Sequence, residues 1–448
     1  MLDISIVTFN SSRFLPDLFE SILAQHIDLS GVTLLIYDNS SSDGTVQEIE
    51  SFFNRHGARF HSCRLEKGAC NLGFGNAHNA NIRRGKNPYL FILNPDAKLD
   101  SSCFRILLEQ VSRSPKDVAA WEPRQMPYEH PKFYHPVTLE TPWVSGGGVL
   151  VRRKAFEKIG GFEPRLFLYG EDVDLSFRLR DQGFKLLYVP QAFYHHYSYD
   201  TPDEIKPQQF LGSYYANLCL RTRFGGVSDI LEGLRLYFKT LMGVQHFPKQ
   251  RVRMARRFLR YIKDFFYFRS YTKKYLRNPL FGLVRHRFYG MDYAMTRMGA
   301  FISAAPLDEF PRTPLVSVLI RTVGRRNLLR AALKSVENQT YQPVEVIVVE
   351  DGAATISSLL EEFPSLSIQY HAFGENRGRC EAGNQALRMA KGEYCIFLDE
   401  DDLFFADHIE TLVAAIIRSS ARVAYSFAFE VPTAYREGTD IITEEGKI

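Results

Sequence analysis

The sequence predicts an α/β fold in two tandem copies. Each copy is a mostly parallel sheet with helices on both faces; a helical segment joins them, and the second copy is incomplete. Three observations predict this. Short β-rich runs alternate with helical patterns over residues 1–200 and again after Leu315, the alternation that builds parallel sheets. The same polar residues recur about three hundred positions apart, with Thr8, Asp38, Asn71 and Asp96 answered by Thr322, Asp351, Asn376 and Asp401. Their spacing recurs as well: 30 residues from Thr8 to Asp38 against 29 from Thr322 to Asp351, and 25 for both Asn71–Asp96 and Asn376–Asp401. A period this long means tandem domains rather than a solenoid.

The runs at 4–9, 32–37 and 89–93 are apolar and read as buried strands. Residues 13–25 and 45–54 read as helices, the second opening behind the turn Ser40-Ser41-Ser42-Asp43-Gly44. In open sheets of this kind the ligand lies beyond the carboxyl ends of the strands. Thr8, Asn10, Asp38 and Asp96 all fall at such ends. Pro202 and Pro207, followed by a basic helical stretch, mark one boundary, and residues 304–314 mark the next. The expected domains are therefore 1–204, a helical region over 205–310, and 311–448 with only the donor-binding half of the fold.

At 448 residues the chain is long enough for two or three domains, each with its own core. Its 45% hydrophobic and 24% charged content are those of a soluble globular protein. No run of eighteen apolar residues occurs and no signal-peptide pattern opens the chain, so a cytoplasmic location is expected. The six cysteines form no Cys-x-x-Cys pair and no metal-ligand spacing, which suits a reducing compartment. The net charge of +4 hides an asymmetry, because residues 231–300 hold sixteen Lys+Arg against three Asp+Glu. Aromatics interleave with these bases over 256–269. Such helices suit an anionic membrane surface; a solvated linker packed between two domains is the plainer reading, and both stay open. Nucleic acid is disfavoured, since no base-reading motif accompanies the charge.

Asp38 follows a strand and precedes a Ser-rich turn, a place from which a carboxylate accepts hydrogen bonds from a base or ribose. It could also cap the helix near Thr45; its recurrence as Asp351 favours binding. Asp96 ends the apolar run 91–93 through Asn94-Pro95. A hard divalent cation takes oxygen ligands, commonly one or two carboxylates plus substrate phosphates. The second copy offers Asp399 and Asp401 at i and i+2, whereas in the first Asn94 stands where the leading Asp would be.

Residues 1–200 resemble a family 2 glycosyltransferase of the GT-A fold, the kind that adds single sugars to bacterial surface polysaccharides. The Asn94-Pro95-Asp96 variant of the Asp-x-Asp motif is most similar to that of rhamnosyltransferases. The resemblance implies that Thr8, Asn10 and Asp38 hold the nucleotide, that Asn71, Gly73 and Asn94 line the donor cleft, and that Asp96 binds Mg²⁺ or Mn²⁺. Trp143-Val144-Ser145-Gly146-Gly147-Gly148 resembles the family's glycine turn beside the diphosphate, which places Gly147 in the donor set. Tyr169-Gly170-Glu171-Asp172-Val173-Asp174 resembles its Glu-Asp motif, implying Asp172 as catalytic base with Glu171 capping or orienting. Inverting transfer needs such a carboxylate to take the acceptor's proton. Asp174 stands four residues before Arg178 and is expected to pair with it. The plainer reading of these acids is that they favour a helix N-terminus. A histidine after this helix resembles a third metal ligand; His195 and His196 are both candidates, with His195 preferred.

The second copy repeats the donor-binding residues Thr322, Asp351 and Asn376 and the metal-type pair Asp399 and Asp401. It lacks the glycine turn, the Glu-Asp helix and the histidine, so no catalysis is expected of it, and a longer parent enzyme is the preferred explanation. The functional expectation is an inverting, metal-dependent transferase moving a sugar, dTDP-rhamnose being one candidate donor, to a lipid-linked or growing polysaccharide at the inner membrane face. The alternatives are a nucleotidyltransferase, whose Gly-rich phosphate loop is missing after the first strand, and a sugar-nucleotide-binding scaffold for the second domain.

Overall fold

Every residue of the first strand, β1 (Leu2–Thr8), is buried, as are those of β2 (Val32–Asp38). Alternate residues serve opposite faces of the sheet. Leu2, Ile4 and Ile6 join a core with α1 (Leu15–Leu23), α2 (Thr45–His56) and α4 (Cys103–Arg113). Val7 packs with Tyr37 and with Ala77 of α3 (Phe74–Ile82) on the other face. β4 (Tyr89–Leu93) repeats the split, sending Phe91 and Leu93 to the first core, and Leu90 and Ile92 to one shared with α5 (Arg153–Lys158) and α6 (Glu171–Asp181). Helices thus cover both faces, as the alternation of elements predicts.

The computed structural model describes residues 1–127, 129, 134–197, 206–271, 313–428, 433–434 and 442–443. The expected boundaries at Pro202 and 304–312, and the basic segment beyond 271, lie outside these residues. The chain divides into two compact units. Among the described residues the first holds 1–127, 129, 134, 140–197 and 206–271, and the second 135–139, 313–428, 433–434 and 442–443.

In the first unit the sheet has eight strands in the order β3-β2-β1-β4-β7-β6-β8-β5. The remaining members are β3 (Ser62–Lys67), β5 (Ala97–Leu99), β6 (Val118–Met126), β7 (Gly148–Arg152) and β8 (Lys185–His196). Its β3-β2-β1-β4 half is parallel; β7 runs antiparallel between β4 and β6, and β5 antiparallel to β8, so the sheet as a whole is mixed. β8 runs on to His196, which carries both histidines inside the strand.

The described part of the helical region is α7 (Pro207–Phe224), α8 (Val227–Met242) and α9 (Gln250–Arg269). These helices belong to the first unit. Leu166 packs with Leu211, Tyr215, Tyr237, Met254, Tyr261 and Phe268, and Arg165 pairs with Asp264 at 2.6 Å. The interleaved aromatics therefore mostly turn inward.

The second unit repeats the parallel half alone. β9 (Val316–Thr322), β10 (Val344–Glu350), β11 (Ser367–Ala372) and β12 (Tyr394–Asp399) pair in the order β11-β10-β9-β12, that of β3-β2-β1-β4. Its helices are α10 (Arg326–Glu337), α11 (Ser357–Leu360), α12 (Arg379–Met389) and α13 (His408–Ser419). β4 is covered by β7, whereas β12 is an edge among the described residues, with Cys395 and Phe397 exposed. Residues 421–428 form no strand and leave Val423, Tyr425 and Phe427 exposed.

Candidate active site

The strand ends of the first unit converge as the sequence predicts, and hydrogen bonds show what each polar residue does there. Thr8 Oγ1 donates to Asp38 Oδ1 at 2.8 Å. Asp38 also accepts from Ser41, from the backbone N–H at 2.9 Å and the hydroxyl at 2.5 Å. Asn10, in left-handed backbone (φ 51°), accepts from the Ser42 N–H at 2.9 Å. Together these three residues shape the 40–42 turn. Asp38 does not cap α2, whose N-cap is Gly44; Asp43, one residue earlier, accepts from the Thr45 N–H and hydroxyl and from Ser12. Burial works against its ionisation, but those hydrogen bonds win and hold the Asp43 carboxyl down at about 2.

The 71–73 loop lies beside this turn. Asn71 Oδ1 accepts from the Gly73 N–H at 2.8 Å, and Asn39 clamps the loop by accepting from the Leu72 N–H at 3.0 Å and donating to Gly73 O at 3.3 Å. Gly73 has φ 82°, and a Cβ there would lie 2.3 Å from Phe167 O, so only glycine fits.

The glycine turn joins the two halves of the site. Gly147 O accepts from the Asn94 N–H at 2.9 Å, while the Gly146 N–H donates to Asp172 Oδ2 at 3.1 Å. A Cβ on Gly147 would meet Tyr194 Oη at 2.9 Å and the His196 ring at 3.4 Å. His196 Nε2 stands 3.2 Å from Asp96 Oδ1 and 3.1 Å from Asn94 Nδ2, and its Nδ1 is 3.1 Å from Gln125 Oε1. Burial opposes the charge of Asp96, but the hydrogen bond and charge of His196, a backbone N–H and Lys206 outweigh it and lower its carboxyl. The preference for His195 is corrected. Neighbours on an extended strand point to opposite faces, and it is His196 that reaches Asp96, while the His195 ring lies against Phe193 at 6.1 Å.

Asp172 opens α6 behind Tyr169, a non-glycine residue in left-handed backbone (φ 71°), the kind of strain that collects at functional sites. Its Oδ1 accepts from the Val173 N–H at 2.8 Å. Glu171 beside it is buried, and its Oε2 has no hydrogen-bond partner. Burial first, then the charges of Asp172 and Asp174, push its carboxyl well above the usual range. Asp174 pairs with Arg178 at 2.7 Å, as its spacing predicts, and also with Arg223 at 2.5 Å. That ties it to the packing of α7 rather than to the cleft.

Several residues escaped the sequence reading: Gln125 and Tyr194 behind His196, Asn39 behind the 71–73 loop, and Glu122, which accepts from the Ser145 N–H at 2.8 Å. The signal for two of them was legible, since Glu122 and Gln125 are polar residues in β6, a strand buried along its whole length.

In the second unit one equivalence is corrected. Strand register sets Thr8 opposite Asp38 but Thr322 opposite Glu350. The Asn39 and Asp351 N–H groups donate to Thr8 O and Thr322 O, both at 2.8 Å. The counterpart of Asp38 is thus Glu350, and that of Asp351 is Asn39. Asp351 does the work of Asn39, accepting from the Arg377 and Gly378 N–H groups at 2.6 and 3.0 Å to hold the loop that contains the exposed Asn376. Thr322 Oγ1 donates to Glu400 rather than to Asp351. Asp399 pairs with Arg321, and Asp401 with Arg325 at 3.1 Å.

The first unit is thus a mixed α/β sheet with acids and a histidine gathered at its strand ends. The sequence matches the family described as "Glycosyl transferase family 2" over residues 3–169 and again over 317–439, and "Glycosyl transferase family group 2" over 133–302. The chain therefore belongs to glycosyl transferase family 2 and is a glycosyltransferase. It is 30% identical over 217 residues to the N-acetylglucosaminyl-diphospho-decaprenol L-rhamnosyltransferase of Mycobacterium tuberculosis, covering 38% of this chain and 68% of that protein. It is 30% identical over 120 residues to the putative glycosyltransferase EpsH of Bacillus subtilis, covering 26% and 35%. Among solved structures it is similar to the mannosyltransferase PcManGT from Pyrobaculum calidifontis in complex with GDP-Man and Mn²⁺, with a TM-score of 0.41 and 14% identity over 58% of this chain and 75% of that one.

Proposed function

We propose that the first unit is an inverting glycosyltransferase, dependent on Mg²⁺ or Mn²⁺, that moves a sugar from a nucleotide-sugar donor to a lipid-linked or growing cell-surface saccharide at the cytoplasmic membrane face. The observation that carries this reading is the glycine turn, which bonds Asp172 through Gly146 and Asn94 through Gly147, where a side chain would run into Tyr194 and crowd the His196 ring. Base and cation site are thus held on one short segment.

Asp172 is the general base. Its carboxylate is fixed by the N–H groups of Gly146 and Val173, and it takes the acceptor hydroxyl's proton as that oxygen attacks the sugar. Thr8, Asn10 and Asp38 shape the nucleotide end of the cleft, with Asn71 and Gly73 beside them. Among the described residues no group of three or more His, Cys, Asp or Glu could hold a metal. The donor set still suits a cation that takes its remaining ligands from phosphate oxygens. With a cation bound, the His196 proton would sit on Nδ1, 3.1 Å from Gln125 Oε1, and the Nε2 lone pair would face the cation in place of the hydrogen bond to Asp96, the arrangement of a ligating imidazole with an outer partner. Asp96 and His196 would hold the metal with Asn94 alongside, and bound there it would offset the charge of the departing diphosphate.

For the second unit the reading is donor-type binding through Thr322, Asp351 and Asn376 without transfer. Asp399 and Asp401 would have to exchange their arginine partners for a cation. The rhamnosyl donor and diphospho-decaprenol acceptor in the name of the Mycobacterium relative make dTDP-rhamnose and a lipid diphosphate saccharide the first pair to try. The test is hydrolysis of a panel of nucleotide sugars by the full chain, with and without chelator. One donor should be hydrolysed, the activity should vanish on chelation, and Mn²⁺ or Mg²⁺ should restore it. If no nucleotide sugar is bound or hydrolysed, the reading fails.

A further inference from the structure

We propose that one face of the α8–α9 helix pair is a docking surface for an anionic lipid bilayer. On α9 the buried residues Met254, Tyr261 and Phe268 mark the inner face. Val252, Leu259, Ile262 and Phe266 follow at i, i+7, i+10 and i+14, on the opposite side, and are exposed, Phe266 by 79%. On α8 the residues Val227, Leu231, Phe238 and Met242 make a second exposed stripe, Met242 by 73%. The two stripes are neighbours, because the Phe238 ring meets at 5.0 Å that of Phe258, which stands one turn before Ile262 on α9. Single exposed apolar residues are ordinary, but two adjoining stripes of them need a partner.

Charge decides which partner. Residues 227–271 hold ten Lys+Arg and three Asp+Glu. All three acids are engaged: Asp229 accepts from the Gly226 N–H at 2.7 Å, Glu232 pairs with Arg235 at 2.7 Å, and Asp264 is buried against Arg165. Lys239, Arg253, Arg256 and Lys263 are exposed on the same two helices as the apolar stripes. Two copies of this face would set like charges against each other, and a nucleic acid would leave the apolar stripes uncovered. An anionic bilayer satisfies both, its headgroups taking the bases and its acyl boundary the Leu, Ile and Phe side chains. Not every base takes part: Arg260 turns inward, donating to Arg165 O at 2.8 Å, and Arg257 is half-buried.

The face is joined to the cleft. Tyr267 of α9 donates to Glu163, Arg223 of α7 pairs with Glu163 at 2.5 Å, and the same loop brings Phe167 O to the Phe74 N–H at 2.9 Å beside Gly73. A chain docked through α8 and α9 therefore holds its donor cleft at a fixed height over the bilayer, where a lipid-linked acceptor is presented; the purpose, though not the surface, rests on the function proposed above.

The test is sedimentation of the full chain with vesicles of phosphatidylglycerol and phosphatidylcholine, against pure phosphatidylcholine. Binding should require phosphatidylglycerol and weaken as salt rises, since exposed charges are screened beyond about 8 Å at physiological ionic strength. The triple variants Leu259→Ser/Ile262→Ser/Phe266→Ser and Arg253→Glu/Arg256→Glu/Lys263→Glu should each bind roughly tenfold or more weakly, with donor hydrolysis unchanged. In a second arm, Phe266→Trp should show a blue-shifted emission with these vesicles and quenching by brominated lipid. Wild-type chain that stays in the supernatant at low salt, variants that sediment like wild type, or a dimer that the serine variant dissociates would each overturn the proposal. Vesicle binding by a chain that hydrolyses no donor would leave it standing and remove the transferase reading instead.

Discussion

Asp172 and Glu171 are adjacent carboxyls with opposite surroundings, and that contrast is where catalysis is most easily tested. Asp172 accepts two backbone N–H groups, while Glu171 is buried with one oxygen unpartnered. Asp172→Asn keeps the shape of the pocket and removes the base, so turnover should fall about 10²–10⁴-fold with nucleotide affinity retained, as steady-state kinetics beside calorimetric binding will show; near-normal turnover would move the base elsewhere. Glu171 makes a prediction about pH. Because its folded pKa is raised, the folded state keeps this proton after the unfolded chain has lost it, so stability is full below the unfolded value of about 4.3 and declines as pH climbs toward the raised one. Glu171→Gln should flatten that decline, its advantage in melting temperature growing as pH rises from about 4; parallel melting curves at every pH would contradict it.

The elements of the site are held by short turns whose geometry depends on single residues. The 71–73 loop opens α3 through Gly73, whose φ of 82° and contact with Phe167 O exclude a side chain. Gly73→Ala should therefore destabilise the unit by about 1–3 kcal/mol and weaken nucleotide binding more than its stability loss explains. Thermal shift with and without nucleotide would separate the two effects, and an alanine variant with wild-type affinity would show that the loop does not line the donor cleft. The corresponding loop of the second unit uses Asp351 where the first uses Asn39, so an amide and a carboxylate do one mechanical job. The exposed stretch 421–428 lies just after α13 as β6 follows α4, and β6 is a strand because β7 and β8 flank it.

Across the first unit, α6 and α7 are locked by charges buried between them. Arg223 reaches both Asp174 and Glu163 at 2.5 Å, and Asp174 has no exposed surface. Burial disfavours the guanidinium charge, but the two carboxylates outweigh it and raise its pKa. Breaking such a network leaves an uncompensated buried charge, so Arg223→Met should cost about 3–5 kcal/mol of stability, read as a lowered urea midpoint. A midpoint within error of wild type would show that the network adds little to the joint between helices and sheet. No helix among the described residues is long and apolar enough to cross a membrane.

The sequence by itself determined the duplication, the parallel strand pattern, the carboxyl ends at which the polar residues gather and the family they resemble, because apolar periodicity and motif spacing are local properties of the chain. It also predicted the Asp174–Arg178 pair, which needs only helical spacing. Tertiary structure decided what depends on direction and register. Alternation along β8 turns His196, not His195, toward Asp96. Pairing between β9 and β10 makes Glu350, not Asp351, the counterpart of Asp38. Long-range packing brings Gln125 behind His196, turns most aromatics of α9 inward and leaves a stripe of Val252, Leu259, Ile262 and Phe266 exposed. In each case the deciding contact joins residues far apart in the chain, and the sidedness of a strand or helix is settled only by what packs against it.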